Sequence, residues 1–230
     1  MKELLSIVVP VYNEENTVRA VIERLLSIDL PVAREILVVN DGSTDGTRRV
    51  LDALPATGDT LRIVHAEVNG GKGRAIRTGF ERARGTIVAI QDADLELDPA
   101  QLASLVQPIL AGETNVVYGS RFLHGSQGAP FVSVAANRFL TSLTNILYSA
   151  RLTDMETCYK VMRSDVARQL RLESNRFDIE PEITSKLLRA GHRIVERPVR
   201  FEPRSRAQGK KIGWRDGVKA IAVLARYRFR

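Results

Sequence analysis

Short runs of Ile and Val alternate with helical patterns along the first half of this chain, and that rhythm narrows the fold at once. Leu4–Val11 and residues 35–40, 61–66 and 86–91 are brief and almost continuously apolar. Such runs read as strands buried on both faces of a parallel sheet. Between the first two, Val18, Val21, Ile22, Leu25 and Leu26 fall at helical spacing within residues 17–27, with Asn16 as the expected cap. Residues 44–54 and 73–84 repeat the helical pattern after Asp41-Gly42-Ser43 and Gly70-Gly71. Strand and helix in strict alternation predict an α/β domain with right-handed crossovers and a mostly parallel sheet flanked by helices.

Further on, Asp98-Pro99 opens a helix to about residue 110, and residues 115–119 read as a fifth strand. The rhythm then loosens. A Gly-rich loop (124–130), a long helix (134–151), helices at 164–171 and 180–190 and a strand at 193–197 are expected. Residues 203–212, with Pro, Gly, Ser and four basic residues, predict a mobile loop, and 214–230 a basic amphipathic helix. The expected organisation is one domain over 1–203 with an attachment over 204–230.

Charge separates the same two parts. The chain carries +7, yet from residue 189 onward thirteen Lys and Arg stand against three acidic residues, leaving the remainder at −3. A basic tail on a near-neutral body implies an anionic partner, whether nucleic acid, anionic lipid or a phosphate-bearing substrate. The single cysteine, Cys158, excludes an internal disulfide framework and makes a reducing compartment the default. The apolar start is cut short by Pro10 and Asn13-Glu14-Glu15, so a buried strand is expected there rather than a signal peptide. No run approaches 18 apolar residues, so no transmembrane helix is expected.

Ligands of open α/β sheets bind beyond the carboxyl ends of the strands. Four polar clusters follow the apolar runs: Tyr12-Asn13-Glu14, Asp41-Gly42-Ser43, residues 69–74 and Asp92-Ala93-Asp94. Two carboxylates at the end of a buried strand are hard oxygen ligands suited to Mg²⁺ or Mn²⁺, which share their coordination with substrate phosphates. The Gly70-Gly71-Lys72-Gly73 turn has neither Walker A nor dinucleotide-fingerprint spacing, but its amides could approach a diphosphate at a helix N-terminus. The plainer readings, a solvated turn and a tight strand-to-helix link, stay open for each cluster taken alone.

Taken in order, Ile7-Val8-Val9-Pro10-Val11-Tyr12-Asn13-Glu14-Glu15, Val38-Val39-Asn40-Asp41-Gly42-Ser43-Thr44-Asp45, Asn69-Gly70-Gly71-Lys72-Gly73 and Asp92-Ala93-Asp94 resemble the family 2 glycosyltransferases of the GT-A fold. The resemblance covers residues 4–122. With Gly119-Ser120-Arg121-Phe122 and the later segments it extends to the dolichyl- or polyprenyl-phosphate mannose and glucose synthases. It implies that Pro10, Tyr12 and Glu14 line a nucleoside pocket, that Asp41 contacts base or ribose, and that Lys72 belongs to the donor site. It also implies that Asp92 and Asp94 hold a Mg²⁺ or Mn²⁺ ion on the donor diphosphate. Glu96 stands where relatives commonly carry a Gln ligand. Arg121 would meet a phosphate, and Arg204 with Lys210-Lys211 would close over the diphosphate.

That family implies an inverting transfer of a hexose from GDP-mannose or UDP-glucose to a polyprenyl phosphate, at the cytoplasmic face of a membrane. The residues agree chemically: a phosphate nucleophile is largely ionised at neutral pH and needs cations more than a base. The helix at 137–148 and the acidic-to-basic segment from Asp154 to Lys160 point toward a lipid acceptor, although a core helix and its cap fit too. Trp214 and the basic last helix suit peripheral contact with an anionic bilayer, or docking on the sheet. A membrane-protein partner is compatible with both. The alternative acceptor is a saccharide or protein hydroxyl, which would require Asp154 or another carboxylate as base. A non-enzymatic anion-binding or nucleic-acid module is the remote alternative; no nucleic-acid motif is present, so no such partner is expected.

Overall fold

The structure, a computed structural model, describes residues 2–55, 57–123, 125, 131–203 and 214–229. Strands β1 (Leu4–Val11), β2 (Ala33–Asn40), β3 (Leu61–His65), β4 (Ile87–Ile90), β5 (Val116–Ser120), β6 (Lys160–Arg163) and β7 (Ile194–Pro198) form one sheet in the order β3-β2-β1-β4-β6-β5-β7. Strands β1 to β4 are parallel, and β5 is parallel to β7. Strand β6 runs antiparallel to both of its neighbours.

The side-chain alternation of β1 explains why both faces of the sheet are covered. Leu5, Ile7 and Val9 point into one core with Val21, Ile22 and Leu25 of α1 (Val18–Ser27) and Leu102, Leu105 and Val106 of α4 (Leu102–Leu110). Val8 points the other way, against Ile76 and Phe80 of α3 (Lys72–Arg82) and Ile179 and Ile183 of α7 (Ile179–Arg189). A strand buried on both sides gains from every residue, about 1.5–3 kcal/mol per large aliphatic side chain, which is why its sequence is nearly unbroken apolar.

One strand carries no signal in the sequence, and one expectation is corrected. Residues 154–160 lead directly into β6, which takes a central position in the sheet between β4 and β5. Its first residue is a lysine, so the four-residue strand lacks a recognisable apolar run. Asn16 does not cap α1: the cap position is Thr17, whose hydroxyl donates to Glu14 Oε2 at 2.8 Å, while Glu14 O accepts from the Thr17 and Val18 amides.

The remaining helices are α2 (Thr47–Asp52), α5 (Phe131–Tyr148), α6 (Ser164–Gln169) and α8 (Trp214–Phe229). Helix α8 docks on the domain: Ala220 and Leu224 are buried with Leu140 and Met155. Tyr148 Oη donates to Leu224 O at 2.7 Å, and Arg228 Nε to Leu147 O at 2.6 Å. Tyr227 Oη reaches the buried Glu182 carboxylate on α7 at 2.9 Å. No helix among the described residues is long and apolar enough to cross a membrane.

Candidate active site

Strand order reverses beside β1, where β2 leads one way across the sheet and β4 the other, and a crevice opens beyond the carboxyl ends at such a point. The loops after β1 and β2 are knitted together there. The Asn13 amide donates to Ser43 Oγ (3.0 Å), Asn13 Oδ1 accepts from the Thr44 amide (2.8 Å), and the Glu14 amide donates to Thr47 Oγ1 (2.9 Å). Pro10 is buried within β1, opposite Val39, whereas Tyr12 and Glu14 are partly exposed in the loop that follows.

Asp41 ends β2 with its carboxylate buried. It accepts from the Gly70 amide at 3.0 Å and the Gly71 amide at 2.6 Å, and Arg74 stands 3.4 Å away. Asp41 therefore sets the shape of the turn that opens α3. Gly71 has φ 96°, and a Cβ there would lie 2.3 Å from Asn175 O, so only glycine fits without displacement.

At the start of α3 Lys72 extends across to Asp92, with Nζ 2.8 Å from Oδ1 and 3.0 Å from Oδ2, and to Glu180 Oε1 at 3.1 Å. Burial opposes its charge, but Asp92 and then Glu180 hold the ammonium well above the ordinary lysine range. Burial likewise acts to raise the Asp92 carboxyl, and Lys72 overrides it, so the net shift is downward. Glu180 also takes the fully buried Lys160, whose Nζ is 2.5 Å from Oε2 and donates to the Met155 and Thr157 carbonyls. The thiol of Cys158 is buried beside Asp92, and burial pushes it well above its usual range.

A second set of groups lies beyond β5. Asp154 is fully buried, and its carboxylate receives four hydrogen bonds. They come from the Arg121 amide (3.0 Å), Arg121 Nε (2.7 Å), Arg121 Nη2 (2.8 Å) and Asn137 Nδ2 (2.9 Å). Arg121 is thus gripped through three of its nitrogens and flanked by the rings of Phe122 and Phe201, at 5.5 and 5.2 Å. From β7, Glu196 accepts from the Thr153 amide at 2.9 Å and the Asp154 amide at 3.1 Å, fixing the segment that carries Asp154. Burial raises the Glu196 carboxyl.

Asp92 and Asp94 end β4 with partly exposed carboxylates, and Leu95 between Asp94 and Glu96 has φ 61°, a tight turn for a branched side chain. Two hard carboxylates two residues apart suit a divalent ion that draws its other ligands from phosphate and water. Among the described residues no three His, Cys, Asp or Glu side chains are gathered closely enough to form a cage by themselves. The Glu96 amide donates to Asp94 Oδ1 at 3.1 Å. Arg204, Lys210, Lys211 and the Trp214 side chain lie outside the described residues. Lys160, Glu180, Glu196 and Asn137 were not legible as site residues. Each is polar and buried or partly buried, in a segment whose pattern reads as helix, strand or loop.

With this geometry, comparison with known proteins places the chain. A model described as Glycosyl transferase family 2 matches residues 6–171, and the chain belongs to that family. Its fold is that of the GT-A enzymes expected from the motifs. It is 30% identical over 229 residues to the undecaprenyl-phosphate mannosyltransferase of Micrococcus luteus, covering 94% of this chain and 90% of that one. It is 32% identical over 207 residues to glycosyltransferase AglD of Haloferax volcanii, covering 87% of this chain. The chain spans only 33% of that relative's length. A crystal structure of glucosyl-3-phosphoglycerate synthase from Mycobacterium tuberculosis, in complex with Mn²⁺, UDP and glucosyl-3-phosphoglycerate, superposes with a TM-score of 0.75 at 19% identity. That match covers 99% of this chain and 80% of the other.

Proposed function

We propose that this glycosyltransferase moves a hexose from a nucleotide sugar, GDP-mannose or UDP-glucose, to the phosphate of a polyprenyl lipid, with inversion at the anomeric carbon. The observation that carries this reading is the state of Asp154. A hydroxyl acceptor needs a general base, and Asp154 has its carboxylate filled by four hydrogen bonds. It acts instead to position Arg121, a cation oriented for an anionic acceptor. A phosphate arrives already ionised and requires what Arg121 supplies: placement and charge neutralisation.

On the donor side, Tyr12 and Glu14 sit on the loop where the nucleoside would lie. Asp41 shapes the Gly-Gly turn beneath it, and Lys72 offers a cation near the diphosphate. Asp92 and Asp94 would hold Mg²⁺ or Mn²⁺, since carboxylates are the hard oxygen ligands such ions prefer. Such an ion, when bound, stabilises the charge on the departing diphosphate as a Lewis acid. Arg204 and Lys210 belong to the same proposal through the family resemblance alone.

Contact with the cytoplasmic face of a membrane fits two helical faces. Along α5, Val132, Phe139 and Ile146 recur every seven residues and are 77%, 59% and 78% exposed. Neighbouring α8 adds Val218, Ile221 and Phe229, with Lys219, Arg226 and Arg228 on the same helix. Apolar stripes flanked by cations suit an anionic bilayer interface. The deciding experiment incubates the purified protein with a short polyprenyl phosphate, Mn²⁺ or Mg²⁺ and each donor, with Asp94→Ala as control. Mass spectrometry should find a hexosyl lipid phosphate that the variant does not make. Transfer to a sugar hydroxyl and none to the lipid would overturn the acceptor assignment.

A further inference from the structure

Two carboxylates on one short segment are treated in opposite ways. Asp154 has every contact filled. Glu156, two residues on, is partly buried with its Oε1 cut off from solvent, and that oxygen has no hydrogen-bond partner among the described residues. A buried acceptor left unpaired costs about 1–3 kcal/mol, more if charged, and native folds satisfy nearly all such atoms. A buried orphan of this kind, close in the chain to residues of a binding site, is explained when a ligand entering the site supplies the missing partner.

Its surroundings say which ligand. Four charged groups act on Glu156, the cations Arg121 and Lys160 and the carboxylates Asp154 and Glu180. Glu180 in turn contacts Lys72, which holds Asp92. Farther along the segment, Cys158 lies against Asp92. Glu156 thus belongs to the stretch of chain that joins Arg121 to the Asp92 end of the site. In a transfer between two phosphates, the group that moves must lie between them. A sugar hydroxyl both donates and accepts, so it can satisfy a glutamate oxygen in either protonation state, whereas a phosphate oxygen only accepts from a protonated one.

The geometry points to Glu156 Oε1 as the atom that holds a hydroxyl of the transferred sugar, which makes Glu156 a specificity-determining residue of the donor site. This rests on the transferase reading above. A site built to hydrogen-bond one hydroxyl discriminates against a sugar that presents it differently, because the protein group is then left unpaired.

Calorimetry on the full chain with Mn²⁺ separates the possibilities, using UDP, UDP-glucose, GDP and GDP-mannose as probes against wild type, Glu156→Gln and Glu156→Ala. The expected result is a roughly tenfold or larger loss of affinity for the preferred sugar nucleotide in Glu156→Ala. Glu156→Gln, which keeps a carbonyl oxygen, should lose less. Affinity for the matching nucleoside diphosphate should stay within about twofold in both variants, which also reports that they are folded. An equal loss for diphosphate and sugar nucleotide, or no loss for either, would overturn the role of Glu156 while leaving the transferase reading intact. Failure of the wild type to bind any of the four would overturn both.

Discussion

The two sides of the site are assembled from different materials. On the side formed by β1 to β4, the groups are held largely by backbone. Asp41 is fixed by the amides of Gly70 and Gly71, and the loops after β1 and β2 exchange amide-to-side-chain hydrogen bonds. On the side formed by β5 to β7 they are held by one another: Arg121 by Asp154, Asp154 by Asn137, Lys160 by Glu180. Glu180 joins the two sides, since it also meets Lys72. Backbone-held groups fail singly. Groups held by side chains in a shared network fail together, and their losses do not add.

The sharpest way to break the second arrangement is Lys160→Met. It removes the cation buried against Glu180 and leaves the carboxylate to Lys72 alone, while the Met155 and Thr157 carbonyls lose their donor. Removing one partner of a buried pair typically costs about 3–5 kcal/mol. Urea unfolding should register a loss of that size; a change below about 1 kcal/mol would mean the network is not what holds this side. Asp154→Asn comes next. It keeps the shape but loosens the grip on Arg121, and a misplaced positioning group costs on the order of 100-fold in rate. Transfer should fall by that factor with nucleotide affinity within about twofold. Weakened nucleotide binding would show that the two sides are not separable.

This same contrast decides what could be read from the sequence. Strands β1 to β4 announce themselves as apolar runs, and the polar clusters after them fall at the carboxyl edge because strand ends dictate where the next residues go. Strand β6 could not be seen, because Lys160 opens it and its charge is balanced by Glu180 on α7, twenty positions away. Asp154 was legible as an important residue but not as the holder of Arg121, a contact across 33 positions. Glu96 stands where the family resemblance implies a third metal ligand, and the turn at Leu95, φ 61°, that separates it from Asp94 had no signal in the sequence. The Asn16 cap failed because the helix begins one residue later, with Thr17 at the cap position and Glu14 bonded to it. Local periodicity carries strand ends; it carries no information about which distant charge will neutralise which.

The backbone-held side is probed by Gly71→Ala. The new methyl would face Asn175 O from a φ of 96°, so the turn that Asp41 organises must move. Strain of this kind costs about 1–3 kcal/mol. Thermal unfolding should show a loss of about 2 kcal/mol together with weaker nucleotide binding, and the buried pairs on the other side should be untouched. Unchanged nucleotide affinity at reduced stability would detach the turn from the donor site.

The smallest expected effect tests whether Glu156 belongs to the charged network at all. Burial pushes its carboxyl up to about 7; Lys160 and Arg121 work against that rise, and Glu180 and Asp154 add to it. Because the folded value lies above the ordinary 4.5, the folded protein binds this proton more tightly than the unfolded chain does. The stabilisation is therefore complete below about pH 4.5 and is lost as pH rises through about 7. Glu156→Gln, which cannot ionise, should match the wild type at pH 5 and exceed it at pH 8. Opposite charges nearby and partial exposure hold the difference to the order of 1 kcal/mol, below the figure for a fully buried acid. Urea unfolding of both proteins across that range reads the crossover directly. Parallel stability curves would mean that Glu156 ionises in the folded state as freely as in the unfolded chain, and would remove it from the side of the site that side chains build.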